Sequence, residues 1–157
     1  MKKNKILVIS VSILVLLALV CIFGNSFTGK VVSNARSNYI AQKIASVVAP
    51  TDDPELMKAE VKYWNQIVRK VAHGVEFFLL GICLSMVLLY IYKRTGRLHI
   101  SWYLFAALFI GVMDEYIQTF TGRTSRVRDV LIDFSGAVTG LLVTCLVFWL
   151  IKRRKNK

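Results

Sequence analysis

Apolar residues in this chain fall into four long runs, at residues 6–23, 71–92, 98–120 and 130–151. An α-helix rises ~1.5 Å per residue, so ~20 apolar residues cross the ~30 Å hydrocarbon core of a bilayer. The pattern predicts an all-α integral membrane four-helix bundle. Lys93-Arg94-Thr95-Gly96-Arg97 is a tight basic turn between the second and third runs, and Thr121 to Arg126 is a second turn between the third and fourth.

The first run follows Met1-Lys2-Lys3-Asn4-Lys5. It is longer than a signal-peptide core of ~7–15 residues, and no cleavage site of small residues follows it. An uncleaved helix is expected. Residues 24–66 are polar, and Pro50-Thr51-Asp52-Asp53-Pro54-Glu55 divides them. Before Pro50 lies a weakly amphipathic stretch with Tyr39, Ile40, Ile44 and Val47. Asp53 before Pro54 has the form of a helix cap with proline at the first helical position. The helix it starts carries Leu56, Tyr63 and Trp64 and can run on into the next span. Four units are thus expected: a tail and first span at 1–23, an amphipathic extracytoplasmic segment at 24–66 lying on the bilayer, a three-span domain at 67–151, and a basic tail at 152–157.

Charge orients the chain. The N-terminal tail, the 93–97 turn and the C-terminal tail hold three, three and five Lys or Arg and no acid. Cytoplasmic flanks of membrane helices collect such residues. Both termini are therefore expected on the cytoplasmic side of the membrane, with 24–66 and 121–129 outside. Tyr90, Tyr92, Trp102, Tyr103 and Trp149 would form an aromatic belt at the cytoplasmic ends. This topology also accounts for much of the net charge of +12 without nucleic acid. The three cysteines, Cys21, Cys83 and Cys145, sit in apolar runs without paired spacing, as packing residues do.

Five of the nine acids, Glu76, Asp114, Glu115, Asp129 and Asp133, lie in or at the mouths of the apolar runs. A charge at the bilayer centre costs roughly 2.5–3.5 kcal/mol on insertion scales, so such residues usually face a bundle interior and mark a site. Arg69, His73, Glu76 and Leu80 share one helical face, as do Asp129, Asp133, Gly136 and Gly140. Asp114 or Glu115 shares a side with Gln118. Glu76 and Glu115 would lie roughly 8 Å inside the outer ends of their helices, and Asp133 roughly 5 Å. The three spans thus bring polar groups to one level. The spacing Gly136-x-x-x-Gly140 allows a neighbouring helix close approach.

Structural explanations exist for several of these residues. Arg69, Lys70 and His73 can anchor a helix end at the interface. Asp129 can cap the fourth helix. Asp114 and Glu115 can pair with Arg123, Arg126 or Arg128 only to hold the bundle together. His73-x-x-Glu76 is half of a zinc pattern, but no second histidine lies near, so no metal and no cofactor are expected.

Two blocks in order carry a resemblance. The first runs from Arg69-Lys70-Val71-Ala72-His73 through Glu76 to Leu80-Gly81. The second is Asp114-Glu115-Tyr116-Ile117-Gln118 through Gly122-Arg123, continuing by Arg128-Asp129 and Asp133 to Gly136 and Gly140. Over roughly 67–150 the chain resembles the VanZ-like family of bacterial membrane proteins. Gly74 departs from that pattern, where a bulky apolar residue is common. The resemblance implies helix-packing roles for Gly81, Gly136 and Gly140. The family's namesake raises tolerance to the glycopeptide teicoplanin, and no reaction comes with the name.

The leading reading is a binding protein rather than an enzyme. Its outward-facing site would comprise Arg69, Lys70, His73, Glu76, Asp114, Glu115, Gln118, Arg123, Arg126, Arg128, Asp129 and Asp133. The basic residues suit a lipid phosphate or pyrophosphate, with a polyprenyl-linked envelope precursor, or the glycopeptide that recognises it, as partner. Two alternatives remain. One is an enzyme with His73 and Glu76 as acid and base, Asp114 and Glu115 being further catalytic candidates. The other is a proton-coupled lipid transporter.

Overall fold

The computed structural model describes residues 2–123 and 125–155, without the side chains of residues 2–5, 7 and 30. Met1 and the lysine side chains of the N-terminal tail, Thr124 of the outer turn, and Asn156 and Lys157 of the basic tail lie outside that description. The described helices are α1 (Lys2–Phe27), α2 (Lys30–Val48), α3 (Pro54–Thr95), α4 (Ile100–Phe120) and α5 (Val127–Lys155). Of these, α1, α3, α4 and α5 are long and apolar enough to cross a membrane. The all-α bundle with four spans is as the hydropathy pattern predicts.

Helix α1 continues past Phe23, through Gly24, and stops at Phe27. There the Thr28 hydroxyl donates to the Gly24 carbonyl (3.0 Å). The extra turn matters because it carries Asn25 and Ser26 into the bundle. Helix α3 starts as its sequence predicts. The Asp53 carboxylate accepts from the Glu55 N–H (2.9 Å), and Pro54 fills the first position. No proline or glycine occurs between Glu55 and His73, so nothing breaks the helix. It runs unbroken for 42 residues, about 63 Å at 1.5 Å per residue, to Gly96, whose φ of 70° ends it. A boundary at 66/67 therefore falls inside one rod. The outer part of α3 extends the span instead of forming a separate surface helix.

Helix α2 packs antiparallel on this outer part. Ala41 and Ala45 are fully buried in the contact. Ser37 donates to Asn65 (3.1 Å), Asn65 bonds to Asn38, and Arg69 donates to the Asn34 side chain (3.2 Å). The result is a polar-seamed helical hairpin reaching the level of Arg69.

Helices α3 and α5 run parallel in close contact. A Cβ at Gly81 would land on the backbone of Ala137, one at Gly136 on the Gly74 carbonyl, and one at Gly140 on the Phe78 carbonyl. Small residues let the two backbones approach this closely, and in lipid such packing supplies much of the association. Tyr103 of α4 locks the seam. It is buried, and its hydroxyl donates to the Ala137 carbonyl (2.7 Å), with the Gly81 carbonyl 3.2 Å away. The aromatic belt expected to include Tyr103 thus loses it to the interior, because a phenol buried beside two helix backbones finds acceptors there. Trp102 and Trp149 stay exposed.

Val8, Lys93 and Phe148 line one cavity, so the start of α1, the α3–α4 turn and the end of α5 share one end of the bundle. The polar residues gather at the opposite end.

Candidate functional site

At that opposite end a cavity of about 210 Å³ opens between α3, α4 and α5. Its walls carry Arg69, Lys70, His73, Glu115, Gln118, Arg123, Arg126, Asp129 and Asp133, with Gln66 and Ile132. Nine of the expected site residues thus meet. Asp114 is fully buried beneath them. Glu76 faces a second cavity of about 240 Å³, shared with Asn25, His73 and Arg123, on the α1–α2 side. Arg128 is exposed and lines neither cavity. One residue before Asp129 on the helix, it is rotated ~100° away from the cavity.

Helical phase places the acids. Asp114 and Gln118 are one turn apart on α4, and the Gln118 amide donates to Asp114 Oδ2 (2.8 Å). Ser26 of α1 donates to Asp114 Oδ1. Asn25 donates to Glu76. Glu115 accepts from the Arg126 backbone N–H (3.1 Å) and so caps the start of α5. Asp129 lies in the first turn of α5 rather than at its cap, with Lys70 Nζ 3.5 Å away.

Among the described residues, the arginine side chains form no ion pair with these carboxylates. Gly122, at φ 73°, turns the chain back after α4, and Arg123 folds under the end of α1. There its guanidinium donates to the Thr28 and Asn25 carbonyls (3.0 and 3.3 Å), while its buried Nε has no partner. Burial pushes the pKa of Arg123 down from its ordinary value, with Arg69 acting in the same direction. No carboxylate lies within 4.0 Å of Arg69, Arg123 or Arg126 among the described residues.

His73 stands between the acids. Its Nδ1 is 3.8 Å from Asp114 Oδ2 and 3.9 Å from Glu76 Oε2, too long for hydrogen bonds. That nitrogen is buried without a partner, as is Asp133 Oδ2. Each such orphan costs roughly 1–3 kcal/mol. His73, Asp114 and Asp133 each offer a ligand atom within 4.8 Å of the other two. The expectation of no metal rested on the lack of a second histidine near His73; the carboxylates beside it come from α4 and α5.

Asn25 and Ser26, with Gln66 of the cavity wall, are polar site residues that sequence reasoning missed. The only signal of Asn25 and Ser26 was polarity one turn beyond an apolar run.

Four spans, with large apolar side chains exposed all along them, define a multi-pass membrane protein. A family model described as VanZ/LLP1 matches residues 11–149, which is most of the chain. The chain belongs to the VanZ/LLP1 family. Comparison with curated proteins and with solved structures gave no match.

Proposed function

We propose that this protein binds the phosphate or pyrophosphate head of an anionic lipid-linked envelope precursor in the 210 Å³ cavity, on the outer side of a bacterial plasma membrane. One observation carries the reading. Arg69, Arg123 and Arg126 line a single cavity and have no carboxylate partner among the described residues. Arg123 in addition is buried with an unsatisfied Nε. An anion held by several guanidiniums gains charge-assisted, often bidentate bonds. Lys70 is drawn toward Asp129, whereas the positive charges of the three arginines have no carboxylate counterpart within 4.0 Å among the described residues. The cavity opens at the end of the apolar spans, where the head of a lipid would lie while its chain stays in hydrocarbon. Holding such precursors would account for glycopeptide tolerance of the kind the family's namesake confers.

The test is lipid binding by the purified full chain in nanodiscs, read by native mass spectrometry with a polyprenyl phosphate. Arg126→Gln is the clean variant, since Arg126 is exposed and its bonds to Glu115 and Asp129 are made by its backbone. Arg126→Gln and Arg69→Gln should each weaken binding by ~1–3 kcal/mol at unchanged membrane abundance. Parental affinity in both variants would overturn the reading. In cells, expression should raise teicoplanin tolerance, and Arg126→Gln should remove the gain.

A further inference from the structure

We propose that His73, Asp114 and Asp133 form a binding site for one divalent transition-metal ion, of the zinc or manganese kind, at the floor of the polar cavity. The three residues come from three helices, α3, α4 and α5. Their ligand atoms lie within 4.8 Å of one another, so a point exists within ~2.8 Å of all three, against ~2.0–2.2 Å for nitrogen and oxygen ligands on zinc. Shifts of about 0.6–0.8 Å in each ligand atom would close the difference.

Two further observations point to a ligand rather than to a chance cluster. Asp133 is 1% exposed, and its Oδ2 has no hydrogen-bond partner. His73 Nδ1 is likewise buried and unbonded, and it faces Asp114 Oδ2 at 3.8 Å. Acceptors and a ring nitrogen that converge without bonding one another suit a cation placed among them. The charge balances, since a divalent ion neutralises the two carboxylates.

The surroundings have the form of an outer ligand shell. Ser26 and Gln118 donate one bond to each oxygen of Asp114 and fix its plane. A carboxylate oxygen with two lone pairs can accept such a bond and still ligate. Outer partners of this kind orient metal ligands. An imidazole among three donors favours zinc or manganese over calcium, which takes oxygen ligands alone, and over magnesium. His73 and Asp133 line the open cavity, which gives the ion its entrance. A fourth position would face the cavity, where water or an anion oxygen can bind.

Mn²⁺ titration of the chelator-stripped full chain tests the site. The protein sits in nanodiscs of phosphatidylcholine alone, and electron paramagnetic resonance reads the ion. Because no polyprenyl lipid is present, the result is independent of the lipid reading, and either can fail alone. One saturable site is expected, displaced by Zn²⁺ and not by equal Ca²⁺, with a nitrogen coupling that disappears in His73→Gln. Asp133→Asn should weaken binding by at least ~10-fold. Glu55→Gln, at the surface of the hairpin, should bind as the parent does. Thermal melting guards against misfolding: Zn²⁺ should raise the parent's melting temperature, while Asp133→Asn should melt cooperatively and stay unmoved by Zn²⁺. No saturable site, no nitrogen coupling, or parental affinity in Asp133→Asn would overturn the proposal.

Discussion

Two cavities of about 210 Å³ lie at opposite ends of this bundle, and their walls have opposite chemistry. The one near the chain termini is lined by Val8, Val11, Met86, Val87, Leu89 and Phe148, together with Ser12, Tyr90 and Lys93. Lipid tails are as apolar as leucine, so such a surface is solvated by the membrane itself and asks for no particular occupant. The other is lined mostly by ionisable residues, with an unbonded arginine Nε on its wall and an unbonded carboxylate oxygen on its floor. Lipid tails cannot satisfy those groups. Equal volumes therefore carry unequal meaning, and what identifies a site here is the number of polar atoms left without partners. The glycine seam of α3 and α5 separates the two ends.

The sharpest way to break this comparison is to ask which side of the membrane each cavity faces. In a background without Cys21, Cys83 and Cys145, a cysteine at position 40 should be labelled from outside the cell and one at position 95 only after permeabilisation. The reverse pattern would turn the polar cavity toward the cytoplasm and remove the envelope precursor from consideration. A second test opens the seam. Gly136→Leu forces side-chain atoms onto the Gly74 carbonyl and should cost about 3 kcal/mol, read as thermal unfolding in detergent. Gly74→Ala, whose new Cβ would meet nothing closer than Ile132 Cγ2 at 3.9 Å, should stay within ~1 kcal/mol of the parent. Equal losses would mean that the seam is not the tight contact described.

The same elements show what could be read from sequence. Arg69, His73 and Glu76 on one helix, and Asp129 and Asp133 on another, are related by local periodicity, which any helix imposes. Their faces and levels were legible before any fold was known. Asn25 and Ser26 were not, because where α1 ends depends on packing against α4 rather than on hydropathy. The triad of His73, Asp114 and Asp133 was invisible for another reason. Its members are separated by 41 and 19 positions in the numbering, and only the crossing of three helices makes them neighbours. Arg123 shows the limit of charge counting. Its position outside was expected from the turn, but its bonds to the Asn25 and Thr28 carbonyls at the end of α1 follow from the left-handed glycine before it. Tyr103 was assigned to the belt from its place near a helix end, and its burial comes from the approach of α3 and α5 behind it.

Smaller effects sharpen the contrast further. Tyr103→Phe removes the hydroxyl that bonds to the Ala137 carbonyl and should cost about 1 kcal/mol, with lipid binding unchanged. Ser12→Leu, in the apolar cavity, should change stability by no more than ~0.5 kcal/mol and leave ligand binding as it was. A marked loss of lipid binding in Ser12→Leu would show that the apolar cavity has an occupant of its own.

The unbroken length of α3 makes it a lever. Arg69, Lys70, His73 and Glu76 sit on one rigid rod, with ~22 Å of helix from Pro54 to Arg69 on one side and ~39 Å from Arg69 to Thr95 on the other. The glycine seam below Gly74 clamps the long arm to α5, while the short arm carries α2. A force that tilts the hairpin would be taken up between it and the clamp, where the ionisable residues of α3 face those of α4 and α5. A load on the hairpin and a ligand in the cavity thus act on the same joint.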